Sequence, residues 1–113
     1  MENLAPDIHR QRLVIEGTPV RPISDAEIRA YLSELSEVIG MKTLLTPVTH
    51  LCDKYGWAGW IHWETSGAHF YAWDVPRLFF SVDIYTCKAF EPADAVEFTK
   101  RFFGPTAIEL AEF

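Results

Sequence analysis

With 113 residues, nearly half of them apolar and fewer than a quarter charged, the chain has the length for one hydrophobic core and a composition that is neither disordered nor membrane-embedded. A net charge of −6, with its ten Lys and Arg scattered, argues against a phosphate-backbone binder, so nucleic acid is not an expected partner. No apolar run nears the roughly twenty residues that cross a bilayer, and Met1 to Gln11 carries charges and Pro6 where an export signal has an apolar centre, so the expected compartment is the cytoplasm with no membrane partner.

Residues 1–9 lack periodicity and are expected to form a loose arm on a single domain spanning 1–113. Arg12 to Glu16 reads as a short strand ending at Gly17. Ser24 followed by Glu27 has the form of a capping box, and Ile28, Leu32, Leu35 and Ile39 then fall on one stripe of a helix that Gly40 closes. Thr43 to Thr49 is rich in β-branched residues and leucine, and Pro47 places it at an edge or a bulge.

From Trp57 to Glu64 the pattern alternates, with Trp57, Gly59, Ile61 and Trp63 on one side and Ala58, Trp60, His62 and Glu64 on the other. Ser66-Gly67 reads as a tight turn, Ala68 to Trp73 as the returning strand, and Asp74 to Arg77 as a second turn into the strand Leu78 to Tyr85. A second helix starts near Glu91-Pro92, runs to Phe103 and stops at Gly104-Pro105, and Ile108 to Phe113 reads as a last strand. This order predicts an α+β fold, a two-layer sandwich with helices on one face of a mostly antiparallel sheet.

The four histidines, His9, His50, His62 and His69, show no helical ligand spacing, so no metal site is expected. His62 and His69 lie on adjacent predicted strands and meet near Ser66 if they share a face. Phosphate-binding glycine loops and the GxSxG context of a hydrolase serine are absent. Cys52 and Cys87 are too far apart for a CxxC motif, and a core of this size does not require them to pair. Cys87, just after a strand, sits at a sheet rim where a thiol can serve as acid or nucleophile.

Val82-Asp83-Ile84-Tyr85-Thr86-Cys87, followed by Pro92 and Ala95 at a helix start, resembles the "VD-aliphatic-aromatic-TC" segment of the short prokaryotic S-adenosylmethionine decarboxylases. Glu64-Thr65-Ser66, with Trp73 seven residues after the serine, resembles a distorted copy of that family's self-cleavage segment, E-S-H-x-S-x-H-T-W-P-E. The order of elements is similar from Arg12 onward. In this frame Thr65 stands where the family has glutamate, Gly67 where it has histidine, His69 where it has a second serine, Tyr71 where it has the histidine that assists elimination, and Val75 where it has glutamate. Shifting by one residue restores Glu64 and makes Thr65 the nucleophile.

The resemblance implies a carboxy-lyase of polyamine metabolism acting on S-adenosylmethionine or a related amino acid. Its cofactor would be a pyruvoyl group made from Ser66, whose hydroxyl attacks the carbonyl before it; the resulting ketone draws electrons from the departing carboxylate. Cys87 would return the proton to the α-carbon, with Glu64, His69 and Tyr71 as further catalytic candidates and His69 suited to proton transfer. Trp60, His62 and Trp73 become the ligand-contacting candidates, since aromatic faces attract a sulfonium. A homodimer is implied as well. Two alternatives stand beside this reading: an uncleaved relative that keeps a ligand pocket, and an unrelated α+β domain whose tryptophans are core.

Overall fold

The computed structural model describes all 113 residues and contains six strands and two helices in the order β1 (Gln11–Thr18), α1 (Asp25–Val38), β2 (Thr43–Cys52), β3 (Gly56–Trp63), β4 (Ser66–Trp73), β5 (Phe79–Thr86), α2 (Pro92–Phe103) and β6 (Ala107–Glu112). One sheet holds all six strands in the order β2-β3-β4-β5-β1-β6, and every neighbouring pair is antiparallel. The predicted α+β two-layer sandwich is the observed fold.

Local signals in the sequence set the helix ends. Ser24 Oγ accepts from the Glu27 amide (3.2 Å) while Glu27 accepts from the Ser24 amide (3.4 Å), a complete capping box. Gly40, at φ 71°, follows the C-cap Ile39 in the left-handed conformation that glycine adopts without cost. In α2, Pro92 occupies the first turn and Gly104 the left-handed cap.

Period-two alternation sorts the sheet into two faces. Leu13, Ile15, Ile61, Trp63, Ala68, Phe70, Ala72, Phe80, Val82 and Ile84 are buried beneath the helices. The predicted helical stripe, Ile28, Leu32, Leu35 and Ile39, is buried against them. Tyr31 stands at the centre, stacked on Phe98 (5.2 Å between rings) and edge-on to Phe70 (5.3 Å) and Phe102 (5.5 Å). Its hydroxyl meets Thr99 Oγ1 at 2.7 Å, and Thr99 donates to the Ala95 carbonyl at 2.7 Å, so the buried phenol is satisfied. Trp63 Nε1–H likewise donates to Ser36 Oγ (2.7 Å), which donates to the Leu32 carbonyl (2.8 Å).

Two local expectations are corrected. The turn between β3 and β4 falls on Glu64-Thr65, and Ser66 already pairs with Trp63 on one side and Thr86 on the other. The physical reason is that neighbours anchor both turn residues: the Glu64 amide donates to the Lys42 carbonyl, and the Thr65 carbonyl accepts from Cys87. β2 runs on to Cys52 at the sheet edge, with register shifts between Thr43 and Val48 where Pro47 supplies no amide to the ladder. No helix is long and apolar enough to cross a membrane.

Candidate functional site

The uncovered face of the sheet carries the alternate residues: Trp60 and His62 from β3, His69, Tyr71 and Trp73 from β4, Asp83 and Tyr85 from β5, and Arg12 from β1. The ladder fixes their neighbours. His69 lies between Trp60 and Asp83, and His62 lies opposite Gly67.

At one end of this face a depression of about 590 Å³ is lined by Arg12, Trp60, Ile61, His62, Ser66, Gly67, His69, Asp83 and Tyr85. Its floor holds a two-pronged ion pair, with Arg12 Nε donating to Asp83 Oδ1 (3.0 Å) and Nη2 to Oδ2 (2.8 Å). The hydrogen bond to Asp83, followed by its charge, raises the Arg12 pKa above its already high value, so the guanidinium stays charged. Arg12 also lies over the Phe113 ring at 4.9 Å.

The backbone at the rim is unusual. Ser66 has φ 128°, a region that residues with a side chain avoid, at a cost on the order of 1–3 kcal/mol. The carbonyl just before it, that of Thr65, receives two donors from one residue: the Cys87 amide at 2.9 Å and the Cys87 thiol at 3.4 Å. Two convergent donors on one carbonyl oxygen form the arrangement that stabilises an oxyanion. Gly67 is required next to this bond, because a Cβ there would press into the Ile61 carbonyl and come within 3.5 Å of the His62 Cα.

Among the residues singled out from sequence, Ser66, His62, His69 and Trp60 line the depression together, and Cys87, outside that lining, bonds the Thr65 carbonyl next to Ser66. The two histidines share the uncovered face, the condition set for their meeting, but the ladder places His62 opposite Gly67 and His69 opposite Trp60. Three residues lie elsewhere. Glu64 turns outward to Lys42 (3.5 Å), Tyr71 is five residues along β4 from Ser66, roughly 17 Å by strand rise, and Trp73 packs on Tyr71 (6.0 Å) and Phe79 (5.3 Å) at the far end of the strand. Arg12, Asp83 and Tyr85 were not singled out as site residues. The signal was available, since alternation places all three on the face that carries Trp60. Both cysteines are free.

Comparison with known proteins converges on one family. A family model described as S-adenosylmethionine decarboxylase matches residues 14–113. The fold matches that of a crystal structure of the adenosylmethionine decarboxylase from Aquifex aeolicus VF5, with a TM-score of 0.76 and 15% identity over 94% of this chain and 89% of that one. A sequence comparison with curated proteins finds no match.

Proposed function

Since the chain belongs to the S-adenosylmethionine decarboxylase family, we propose that it is a carboxy-lyase acting on S-adenosylmethionine or a related amino acid, and that it matures by cutting its own chain between Thr65 and Ser66 to leave a pyruvoyl group. The observation that carries this reading is the Thr65 carbonyl, held by two Cys87 donors immediately before a serine in a strained conformation. Those residues fit the group. Ser66 supplies the hydroxyl, its neighbouring carbonyl is already polarised, and the residue opens into a depression large enough for a small substrate.

Cleavage begins when Ser66 Oγ attacks the Thr65 carbonyl carbon. Negative charge grows on an oxygen whose two donors are already in place, so little reorganisation is needed. The C–N bond then breaks, the freed amine of residue 66 takes a proton, and an ester joins the two parts of the chain. A pyruvoyl ketone at this position supplies an electron sink for the pair left by a departing carboxylate. In this reading Cys87, whose thiol bonds the carbonyl next to Ser66, hands a proton to the substrate's α-carbon. Trp60 and Tyr85 offer aromatic faces to a sulfonium, and His69 with the Arg12–Asp83 pair offers polar contacts.

The uncovered sheet face, with Trp60, Tyr71, Trp73, Phe79 and Tyr85 at least partly exposed, is assigned to a second copy of the chain in a homodimer. The compartment assigned to the enzyme is the cytoplasm.

A denaturing gel and intact mass after long incubation test the reading, with pieces 1–65 and 66–113 expected and release of carbon dioxide from carboxyl-labelled S-adenosylmethionine accompanying them. A chain that stays whole overturns it. The second reading, an uncleaved ligand-binding relative, draws on the outward turn of Glu64 and the distance of Tyr71 from Ser66. A thermal shift of the whole chain with S-adenosylmethionine would then distinguish it from an unrelated domain. Light scattering that returns a 12.9 kDa monomer sinks the dimer.

A further inference from the structure

A cut before Ser66 requires the Thr65 carbonyl to stay aimed at its Cys87 donors, so the turn that carries it must be held. Hairpins closed by two residues ordinarily place the positive φ inside the turn, on glycine, asparagine or aspartate. Here neither Glu64 nor Thr65 has a positive φ, and the demand falls one residue later, on Ser66. The cause lies at the end of α1. The Gly40 amide donates to the Glu37 carbonyl (3.2 Å) and the Met41 amide to the Ser36 carbonyl (2.8 Å), the two bonds of a Schellman cap. Met41 is thereby fixed to the helix end, and it is buried. Three consecutive residues of this connector accept hydrogen bonds from the region of the cut. The Gly40 carbonyl accepts from Lys88 Nζ (2.7 Å), Met41 Sδ from Thr65 Oγ1 (3.3 Å), and the Lys42 carbonyl from the Glu64 amide (2.9 Å). Lys88 follows Cys87, so one connector braces both the turn and the segment that grips it.

We propose that Thr65 is a positioning residue for self-cleavage, its hydroxyl tied to Met41 so that its carbonyl stays between the two Cys87 donors. The role rests on the decarboxylase reading above. Thr65 is held from two sides, by its carbonyl on Cys87 and by its hydroxyl on a sulfur anchored to α1. Its peptide plane therefore cannot rotate to relieve the φ of 128° at Ser66. A thioether is a weak acceptor, so the bond adds little to stability. Its effect is directional: it keeps the carbonyl aligned with donors whose value in the cut depends on where the oxygen sits.

The test follows chain cleavage by intact mass in wild type, Thr65→Val, Thr65→Ser, Met41→Leu and the double variant Thr65→Val/Met41→Leu, with thermal denaturation as the folding control. Valine keeps the shape of threonine without the donor, and leucine keeps the bulk of methionine without the sulfur. Either single change is expected to slow cleavage about 3- to 5-fold, a weak hydrogen bond's share of a barrier. Thr65→Ser, which retains the hydroxyl, should stay within about twofold of wild type. The double variant should be no slower than the single ones, because the same contact is lost only once. Thr65 is half-buried in a turn, so its two variants carry the test should Met41→Leu fail to fold. Thr65→Val cleaving at the wild-type rate, Thr65→Ser as slow as Thr65→Val, or single losses that multiply in the double variant overturns the positioning role and leaves the decarboxylase reading intact. A wild-type chain that never cleaves overturns both.

Discussion

Cys87 grips the Thr65 carbonyl oxygen twice, through its amide at 2.9 Å and its thiol at 3.4 Å, across a separation of 22 residues in sequence. The amide donor survives any substitution but proline, whereas the thiol donor does not. Cys87→Ala is therefore expected to slow cleavage at residue 66 by about 5- to 10-fold, since a net hydrogen bond is worth ~1 kcal/mol and a factor of ten in rate ~1.4 kcal/mol. Stability should move by less than about 0.5 kcal/mol because the side chain is exposed. A time course of intact mass, paired with urea denaturation, checks both.

The conformation of Ser66 makes a separate forecast. Ser66→Ala and Ser66→Gly both remove the hydroxyl, so neither chain should be cut. Only glycine relieves a φ of 128°, a gain of about 1–3 kcal/mol that exceeds the ~0.5–1 kcal/mol entropy penalty of glycine. The glycine variant should therefore have the higher urea midpoint. Equal midpoints would show that residue 66 is not strained.

Ser36→Ala removes the acceptor of the Trp63 indole N–H in a fully buried site. An unpaired buried donor costs about 1–3 kcal/mol, and that loss is expected in urea denaturation.

Burial drives the Tyr31 pKa far above its ordinary value, with the Thr99 hydrogen bond offsetting a small part. The group is neutral when protonated, so its contribution to stability is complete below about pH 10 and is lost as the pH climbs, because only the unfolded chain can then release the proton. Stability should fall above that pH by up to about 1.4 kcal/mol per unit from this residue alone. Tyr31→Phe should flatten the decline, measured as urea midpoints from neutral to alkaline pH.

The fold was legible wherever local physics decided it. The Ser24–Glu27 box, the Ile28 to Ile39 stripe and the alternation through β3 each state a face or a boundary without help from distant residues. The β3–β4 turn was not legible. Ser-Gly is a good turn dipeptide, but here the turn is set by Lys42 and Cys87, which hold Glu64 and Thr65 from other strands. The site was half legible for the same reason. Ser66 and Cys87 stand out in their segments, whereas Arg12, whose face alternation states, gains its partners only once β1 pairs with β5, where it lies opposite Tyr85 and its side chain reaches Asp83.

The strand order carries a final consequence for a protein that cuts itself. Residues 1–65 contribute β1, β2 and β3, and residues 66–113 contribute β4, β5 and β6. In the sheet, β1 is inserted between β5 and β6 while β4 is zipped to β3, so the two pieces dovetail and neither can slide out whole. The nick would fall at a hairpin tip and break no ladder. The mature protein would thus behave as a two-piece molecule that travels as one under native conditions and separates only on unfolding. Once denatured, the pieces would have to find each other by bimolecular encounter, so formation of the sheet within one protomer, first order before cleavage, would become dependent on concentration after it.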